Sequence, residues 1–316
     1  MIYDLIIIGA GPAGLTAGMY AGRRHLKTLI LSENLGGQAA LAHLVENWPG
    51  TDTISGVDLV ENMKKQAEKF GCEIKMEKVD GVKFDKDIKE VWCEEKKFEA
   101  KAVLIASGVQ HRTLNIGGED KYLGKGVSYC ATCDGPLFKG KKVIVAGGSD
   151  SACLVAIYLS KIASETYMIH RRDKLRADEY NQQKAIAAGV KIIWNSVVEE
   201  IIGDKMVNKI KIKDVNTEKS TEMDIDGVFI EIGYIPSTGI MQSAGVKVDE
   251  HEHVVADENG HTNLEGVFAA GDITGGFKQI VTAAAKGATA ATSAYFYIQK
   301  KFGHADRKDV VDWGHK

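Results

Sequence analysis

The feature that most constrains this chain is a short apolar run, a glycine turn and a helical stretch, a combination that occurs twice. Leu5–Ile8 is apolar, stops on Gly9, continues as a helical stretch through Arg24 and leads to a second apolar run, Thr28–Leu31. Lys142–Ala146 is followed by Gly147-Gly148, a helical stretch to about Ile162 and the run Thr166–Ile169. Strand, glycine turn, helix and strand in that order form the βαβ unit of a doubly wound sheet. The two units begin at Leu5 and Lys142, 137 positions apart, so the 316 residues are expected to hold two α/β domains.

Glycine is abundant, 34 residues against 4 prolines, as expected where backbone must approach backbone or phosphate closely. A formal charge of −3 argues against a nucleic-acid partner, which calls for a basic excess. No apolar stretch reaches the roughly 18 residues of a spanning helix, so no membrane partner is expected. Met1-Ile2-Tyr3-Asp4 lacks the basic start of a signal peptide. Five cysteines are too few, and odd in number, for a secreted disulfide framework. A cytoplasmic location is the expectation.

Between the two units, Glu73–Lys97 reads as antiparallel strands and Ala102–Ala106, ending in Ser107-Gly108, as a buried strand. Further strands are expected at Lys209–Lys213, Gly227–Ile230 and Val267–Ala270. The last ends in Gly271-Asp272 and precedes an alanine-rich helix from about Ile280 to Lys300, and Phe302–Lys316 reads as a polar surface tail. Linkers placed near Asn115–Glu119 and Gln242–Val246 make one domain an insertion in the other: 1–114 with 246–316, and 115–245.

Gly9-Ala10-Gly11-Pro12-Ala13-Gly14 follows a strand and opens a helix, the context in which GxGxxG is informative. Gly9 permits the tight turn, Gly11 lets backbone reach a pyrophosphate, and Gly14 allows close packing of helix on strand. The helix N-terminus offers free N–H groups and its positive dipole end to the anion. Glu33, nineteen residues past Gly14, can accept hydrogen bonds from ribose hydroxyls. A dinucleotide site is expected here.

The second turn reads Gly147-Gly148-Ser149-Asp150-Ser151-Ala152, with Ser149 where GxGxxA has glycine. A Cβ there narrows the approach to a pyrophosphate, while the hydroxyl can donate a hydrogen bond. His170, Arg171 and Arg172 follow the second strand of this unit, with Arg176 shortly after. An acidic residue at this strand end would hold ribose hydroxyls, whereas arginine accommodates a 2′-phosphate through its fork of donors. A solvated charged turn is the bland alternative.

Cys130-Ala131-Thr132-Cys133-Asp134 lies just before the second unit. CxxC serves as a redox dithiol or as half of a zinc site. Cys72, Cys93 and Cys153 provide no second CxxC pair, so the redox disulfide is preferred and no metal is expected.

These segments together resemble the two-dinucleotide-binding flavoprotein disulfide reductases over almost the whole chain. Gly36-Gly37-Gln38, Glu46-Asn47-Trp48-Pro49-Gly50, Ala106-Ser107-Gly108 and Thr262–Asp272 match FAD-contact segments of that family. Within it, Ser128–Gly135 (SYCATCDG) is similar to the low-molecular-weight thioredoxin reductases. The resemblance implies two Rossmann-like domains, an FAD domain with an inserted NADPH domain that rotates about its linkers, in a homodimer. FAD contacts carried over are Gly9, Gly11, Pro12, Ala13, Gly14, Glu33, Gly37, Gln38, Asn47, Gly108, Gly271, Asp272, Lys278, Gln279 and Ile280. Asp272 would bond the ribitol, although alone it would equally suit a helix N-cap. Lys278 stands where the family usually has arginine. NADPH contacts carried over are Gly148, Ser149, Asp150, Ser151, His170, Arg171, Arg172 and Arg176, the string His170–Ala177 matching NADPH-selective members.

By the same resemblance Cys133 faces the flavin, Cys130 attacks the disulfide of thioredoxin or a thioredoxin-like protein, and Asp134 is the acid/base. An ordinary Asp is ionised at pH 7, so proton donation needs burial to raise its pKa. Lys125 matches a basic docking position, though a solvated lysine fits equally. Ser149, Leu154 and Val155 depart from the family pattern and leave room for another electron donor, a deazaflavin or ferredoxin. A small-molecule dithiol oxidase using oxygen is the second alternative, and a non-enzymatic redox sensor a third. His25, His43 and His111 show no ligand spacing and read as structural; Cys72, Cys93 and Cys153 read as buried thiols.

Overall fold

In the computed structural model, which describes residues 1–42 and 45–303, the chain divides into two units. Unit 1 comprises Met1–Ala40, Val57–Val109 and Pro236–Lys316; unit 2 comprises Leu41–Gly56 and Gln110–Ile235. His43 and the tail expected beyond residue 303 lie outside the described residues.

The chain begins β1 (Ile2–Ala10), α1 (Pro12–Arg23), β2 (Thr28–Leu35), α2 (Gly56–Lys69), β3 (Glu73–Lys75), β4 (Gly81–Lys83), β5 (Lys89–Cys93), β6 (Lys96–Ile105) and β7 (Val109–His111). It continues β8 (Val127–Ser128), α3 (Ala131–Asp134), β9 (Lys142–Gly147), α4 (Asp150–Ser160), β10 (Glu165–Ile169), α5 (Glu179–Ala187) and β11 (Lys191–Ile193). Then come β12 (Ser196–Gly203), β13 (Val207–Asp214), β14 (Ser220–Asp224), β15 (Gly227–Glu231), β16 (Tyr234–Pro236), α6 (Gly239–Ser243), β17 (Val267–Ala269) and α7 (Ile280–Phe302).

Unit 1 is built on the sheet β3-β2-β1-β6-β5-β4, with β17 also pairing β6. Leu5, Ile6 and Ile7 are completely buried because β1 is central, flanked in parallel by β2 and β6. A parallel strand covered on both faces reads as a continuous apolar run. Pro12 opens α1, where its fixed φ suits a helix start and its missing N–H is not needed. Small residues on α1 let α7 pack closely: a Cβ on Gly287 would collide with the carbonyl of Ala13.

One expectation for this region is corrected. Glu73–Lys75 pairs with β2 in parallel, and only β4, β5 and the start of β6 form the antiparallel ladders. The cause is α2, whose crossover between β2 and β3 brings the chain back in the same direction.

Unit 2 carries the five-stranded sheet β11-β10-β9-β15-β8, parallel throughout, and the antiparallel sheet β12-β13-β14. Successive side chains point to opposite faces. Phe229, Val143 and Val145 pack with α4 and Ala131 on one face, and Val228, Ile230 and Ile144 pack on the other. All strands of the parallel sheet end on the same edge, where open α/β sheets bind ligands.

Candidate active site

In unit 1 the first glycine turn separates packing from ligand space. Gly9 has φ +112, and a Cβ on it would collide with the carbonyl of Ala106. A Cβ on Gly14 would collide with the carbonyl of Gly9, so both glycines are required by the fold itself. Gly11 differs: its φ is −79, and an added Cβ would have no neighbour nearer than 3.9 Å, the carbonyl oxygen of Gly36. Among the described residues nothing demands glycine there, so the open backbone at the start of α1 fits an approaching pyrophosphate. Gly37 borders the same opening, its added Cβ lying 4.0 Å from the Gly11 Cα, and Gly108 is open on all sides.

The strand end after β17 meets this turn. A Cβ on Gly271 would stand 2.8 Å from that of Ala13, which sets Asp272 beside the start of α1. Asp272 is the first residue of a short 3-10 turn whose N-cap is Gly271, so the carboxylate does not occupy a helix N-cap position. Burial raises its pKa, with Lys278 and Lys286 pulling the other way. A largely buried carboxylate of this kind fits a polyol hydroxyl. Gln279 is the N-cap of α7 in a reciprocal capping box with Thr282, and Ile280 is the first residue of that helix. Glu33 is exposed at the end of β2, with Lys78 Nζ 3.3 Å away. Asn47 belongs to unit 2.

Four functional groups follow the sheet edge of unit 2 in strand order. β10 leads into His170, β9 into Gly147-Gly148, β15 ends at Glu231, and β8 leads through Tyr129 into Cys130. A Cβ on Gly148 would collide with the His170 ring, and backbone N–H groups of Arg176 and Ala177 donate to the Gly148 carbonyl at 2.7 and 3.1 Å. The turn is thereby locked to the basic segment. Ser149 takes an ordinary extended backbone, φ −93 and ψ 176, and its hydroxyl caps nothing, so serine is accommodated without strain. Burial holds the His170 pKa down. The neutral ring keeps one N–H, which Nδ1 can donate to the Gly147 carbonyl 3.1 Å away. Its Nε2 is buried without a partner. Arg171, Arg172 and Arg176 are exposed, and among the described residues none has an acidic partner. Asp150 turns toward α5: its Oδ1 accepts from the Asp178 N–H at 2.9 Å and from Asn181 Nδ2 at 2.7 Å, fastening α4 to α5. Ser151 is exposed in the first turn of α4.

The redox pair is closed. Cys130 and Cys133 form a disulfide with Cα atoms 5.3 Å apart, Cys130 being the N-cap of α3. Ser128 organises the turn: its Oγ accepts the Cys130 N–H at 3.0 Å and donates to Asp134 Oδ2 at 2.6 Å. Both sulfurs belong to half-buried residues, a position that shields the pair yet leaves it within reach of a partner thiol. Cys72, Cys93 and Cys153 are buried free thiols whose pKa values burial pushes up, so they do not compete as nucleophiles. Among the described residues no group of three or more His, Cys, Asp or Glu is arranged for a metal, and no helix is long and apolar enough to cross a membrane.

Two residues escaped the sequence reading. Ser128 has no pattern of its own and acquires its role from the turn. Glu231 did leave a signal, a lone acidic residue at the end of the apolar run Gly227–Ile230, and it is nearly buried, 9 % exposed.

Comparison with known proteins agrees with this geometry. The family model described as pyridine nucleotide-disulphide oxidoreductase matches residues 3–287. A thioredoxin reductase of Listeria innocua is 43 % identical over 303 residues, covering 95 % of this chain and 95 % of its own length. One from Treponema pallidum is 43 % identical over 305 residues, covering 94 % and 97 %. The crystal structure of thioredoxin reductase from Streptococcus pyogenes superposes with a TM-score of 0.89 at 40 % identity, covering 95 % of this chain and 99 % of that one.

Proposed function

The chain belongs to the pyridine nucleotide-disulphide oxidoreductase family, and from that premise we propose that it is an FAD-containing, NADPH-dependent thioredoxin reductase. Its FAD-binding part is 1–114 with 246–316, its NADPH-binding part is 115–245, and it works as a cytoplasmic homodimer. The observation that carries the reading is the Cys130–Cys133 disulfide on the sheet edge that also holds the second glycine turn and its basic cluster.

FAD supplies hydride acceptance from the nicotinamide and two-electron transfer to a disulfide. The residues that would hold it are Gly9, Gly11, Pro12, Ala13, Gly14, Glu33, Gly37, Gln38, Asn47, Gly108, Gly271, Asp272, Lys278, Gln279 and Ile280. Gly148, Ser149 and Ser151 would cradle the pyrophosphate of NADPH, and Asp150 would fix the turn from within. Arg171, Arg172 and Arg176 would bind the 2′-phosphate, and His170, with Nδ1 against the Gly147 carbonyl, would hold the turn beside them.

Exchange with the protein substrate is a thiol reaction. Cys130, once reduced, attacks the thioredoxin disulfide as a thiolate; the mixed disulfide is then resolved by Cys133. Asp134, held by Ser128, moves the proton between the attacking and leaving sulfurs. A turnover assay with NADPH and oxidised thioredoxin tests this. Cys130→Ser should lose thioredoxin reduction while its flavin is still reduced by NADPH. Undiminished thioredoxin reduction in that variant contradicts the assignment.

A further inference from the structure

Glu231 is a buried carboxyl with no role in the scheme above. It ends β15, which pairs on one side with β9, Glu231 opposite Gly147, and on the other with β8, Phe229 opposite Ser128. Phe229 packs with Val143, Val145 and Ala131, whereas Val228 and Ile230 pack on the opposite face. Alternation therefore sends Glu231, two residues past Phe229, to the face that α3 and α4 cover. The bond from the Cys130 N–H to Ser128 Oγ folds the redox turn over that same face. The last paired residues of β15 and β8 are Phe229 and Ser128, and Glu231 and Cys130 each lie two residues beyond them, at the same end of the sheet.

We propose that Glu231 is a second acid/base group of the redox centre, exchanging a proton with Cys130 as the disulfide opens and closes. The proposal rests on the reading that Cys130 is the exchange thiol. Opening the Cys130–Cys133 bond takes two electrons, which the flavin would supply, and leaves two thiolates. Neutral Glu231 gives its proton to the Cys130 sulfur and becomes a carboxylate, leaving Cys133 as the remaining thiolate. When Cys130 attacks the partner disulfide, Glu231 takes that proton back. A bond forms from Cys130 to one partner sulfur while the partner S–S bond breaks, and the leaving thiolate is protonated through Asp134.

The surroundings suit this role. Burial alone pushes the Glu231 carboxyl up to about 7, between ordinary carboxylates and thiols. The titratable groups on the flanking elements are already engaged. Asp134 on α3 is bonded to Ser128, Asp150 on α4 to the Asp178 N–H and Asn181, and His170 beyond β9 lies against the Gly147 carbonyl. Arg171, Arg172 and Arg176 are exposed.

The test is the pH dependence of Cys130 alkylation by iodoacetamide in protein reduced with dithiothreitol, read by mass spectrometry. It uses neither nicotinamide nor thioredoxin, so it is separable from a failure of the proposed turnover. The unsubstituted protein should show two steps, one near 7. Glu231→Gln should show a single step, with the thiol pKa lowered by about one unit as the neighbouring charge is removed. Glu231→Asp should keep both steps. Superimposable profiles for the unsubstituted protein and Glu231→Gln overturn the proposal. If Glu231→Gln does not fold, infrared difference spectra of the unsubstituted protein decide. A protonated-carboxyl band should change on disulfide reduction at pH 7 and persist in Asp134→Asn; no change overturns the proposal.

Discussion

Ser128 Oγ donates a 2.6 Å hydrogen bond to Asp134 Oδ2, and the same oxygen accepts the N–H of Cys130. One hydroxyl thus orients both the acid/base and the nucleophile of the proposed exchange. A hydrogen bond to a charged group contributes about 1.5–3 kcal/mol, and each 1.4 kcal/mol is about tenfold in rate. Ser128→Ala should therefore lower turnover with thioredoxin by about tenfold or more while the rate of flavin reduction by NADPH holds. Stopped-flow flavin absorbance and steady-state turnover on the same preparation separate the two.

The first glycine turn makes opposite predictions for neighbouring residues. Gly9→Ala meets the Ala106 carbonyl from a left-handed backbone, so it should destabilise the fold by more than about 1 kcal/mol. Gly11→Ala has room and an ordinary φ, so the apoprotein should melt as before yet retain little FAD. Thermal melts of apoprotein together with the flavin content of the purified variants check both.

The strand, turn and helix of each βαβ unit were legible because backbone passes too close to Gly9, Gly14 and Gly147 for any Cβ, and that demand leaves its mark as glycine in a motif. The CxxC pair and the basic string His170–Arg176 were legible for a similar reason, since their chemistry depends on residue type at short spacing. Positions where distant chain sets a direction or an environment without demanding a residue type were not. The direction of β3 follows from the α2 crossover, and Asp150 turns toward α5 because that helix returns to meet it. Glu231 was cut off by ending its strand at Ile230: an acidic residue marks a strand end only if the neighbouring strands leave it in water, and β9 and β8 do not.

The exposed guanidiniums predict cofactor choice. Replacing Arg171 and Arg172 with alanine should weaken NADPH but not NADH, cutting the preference for NADPH by about tenfold or more, since charge-assisted bonds of about 1.5–3 kcal/mol are lost only from the 2′-phosphate. The ratio of kcat/KM for the two nucleotides reads this directly.

Acid stability should depend on His111, stacked on Tyr129 and against the tilted ring of Tyr234, with both ring centroids 4.7 Å away. Burial lowers its pKa from the ordinary 6.5 to about 4. A depressed histidine is neutral in the fold, so its contribution is present above the unfolded pKa and lost as pH falls through the folded value. On the order of 3 kcal/mol should disappear between those limits. In His111→Gln, urea midpoints should change less over the same interval; an unchanged slope in pH contradicts this.

The central claim is that electrons pass from a nicotinamide through FAD to the Cys130–Cys133 disulfide. Anaerobic titration of the purified protein with NADPH, NADH and a reduced deazaflavin, following flavin absorbance, tests it most directly. The account predicts bleaching by NADPH at low stoichiometry, little by equivalent NADH, and two cysteine thiols newly open to alkylation at the end point. Bleaching by the deazaflavin with indifference to both nicotinamides, or a bleached flavin with the disulfide still closed, contradicts it.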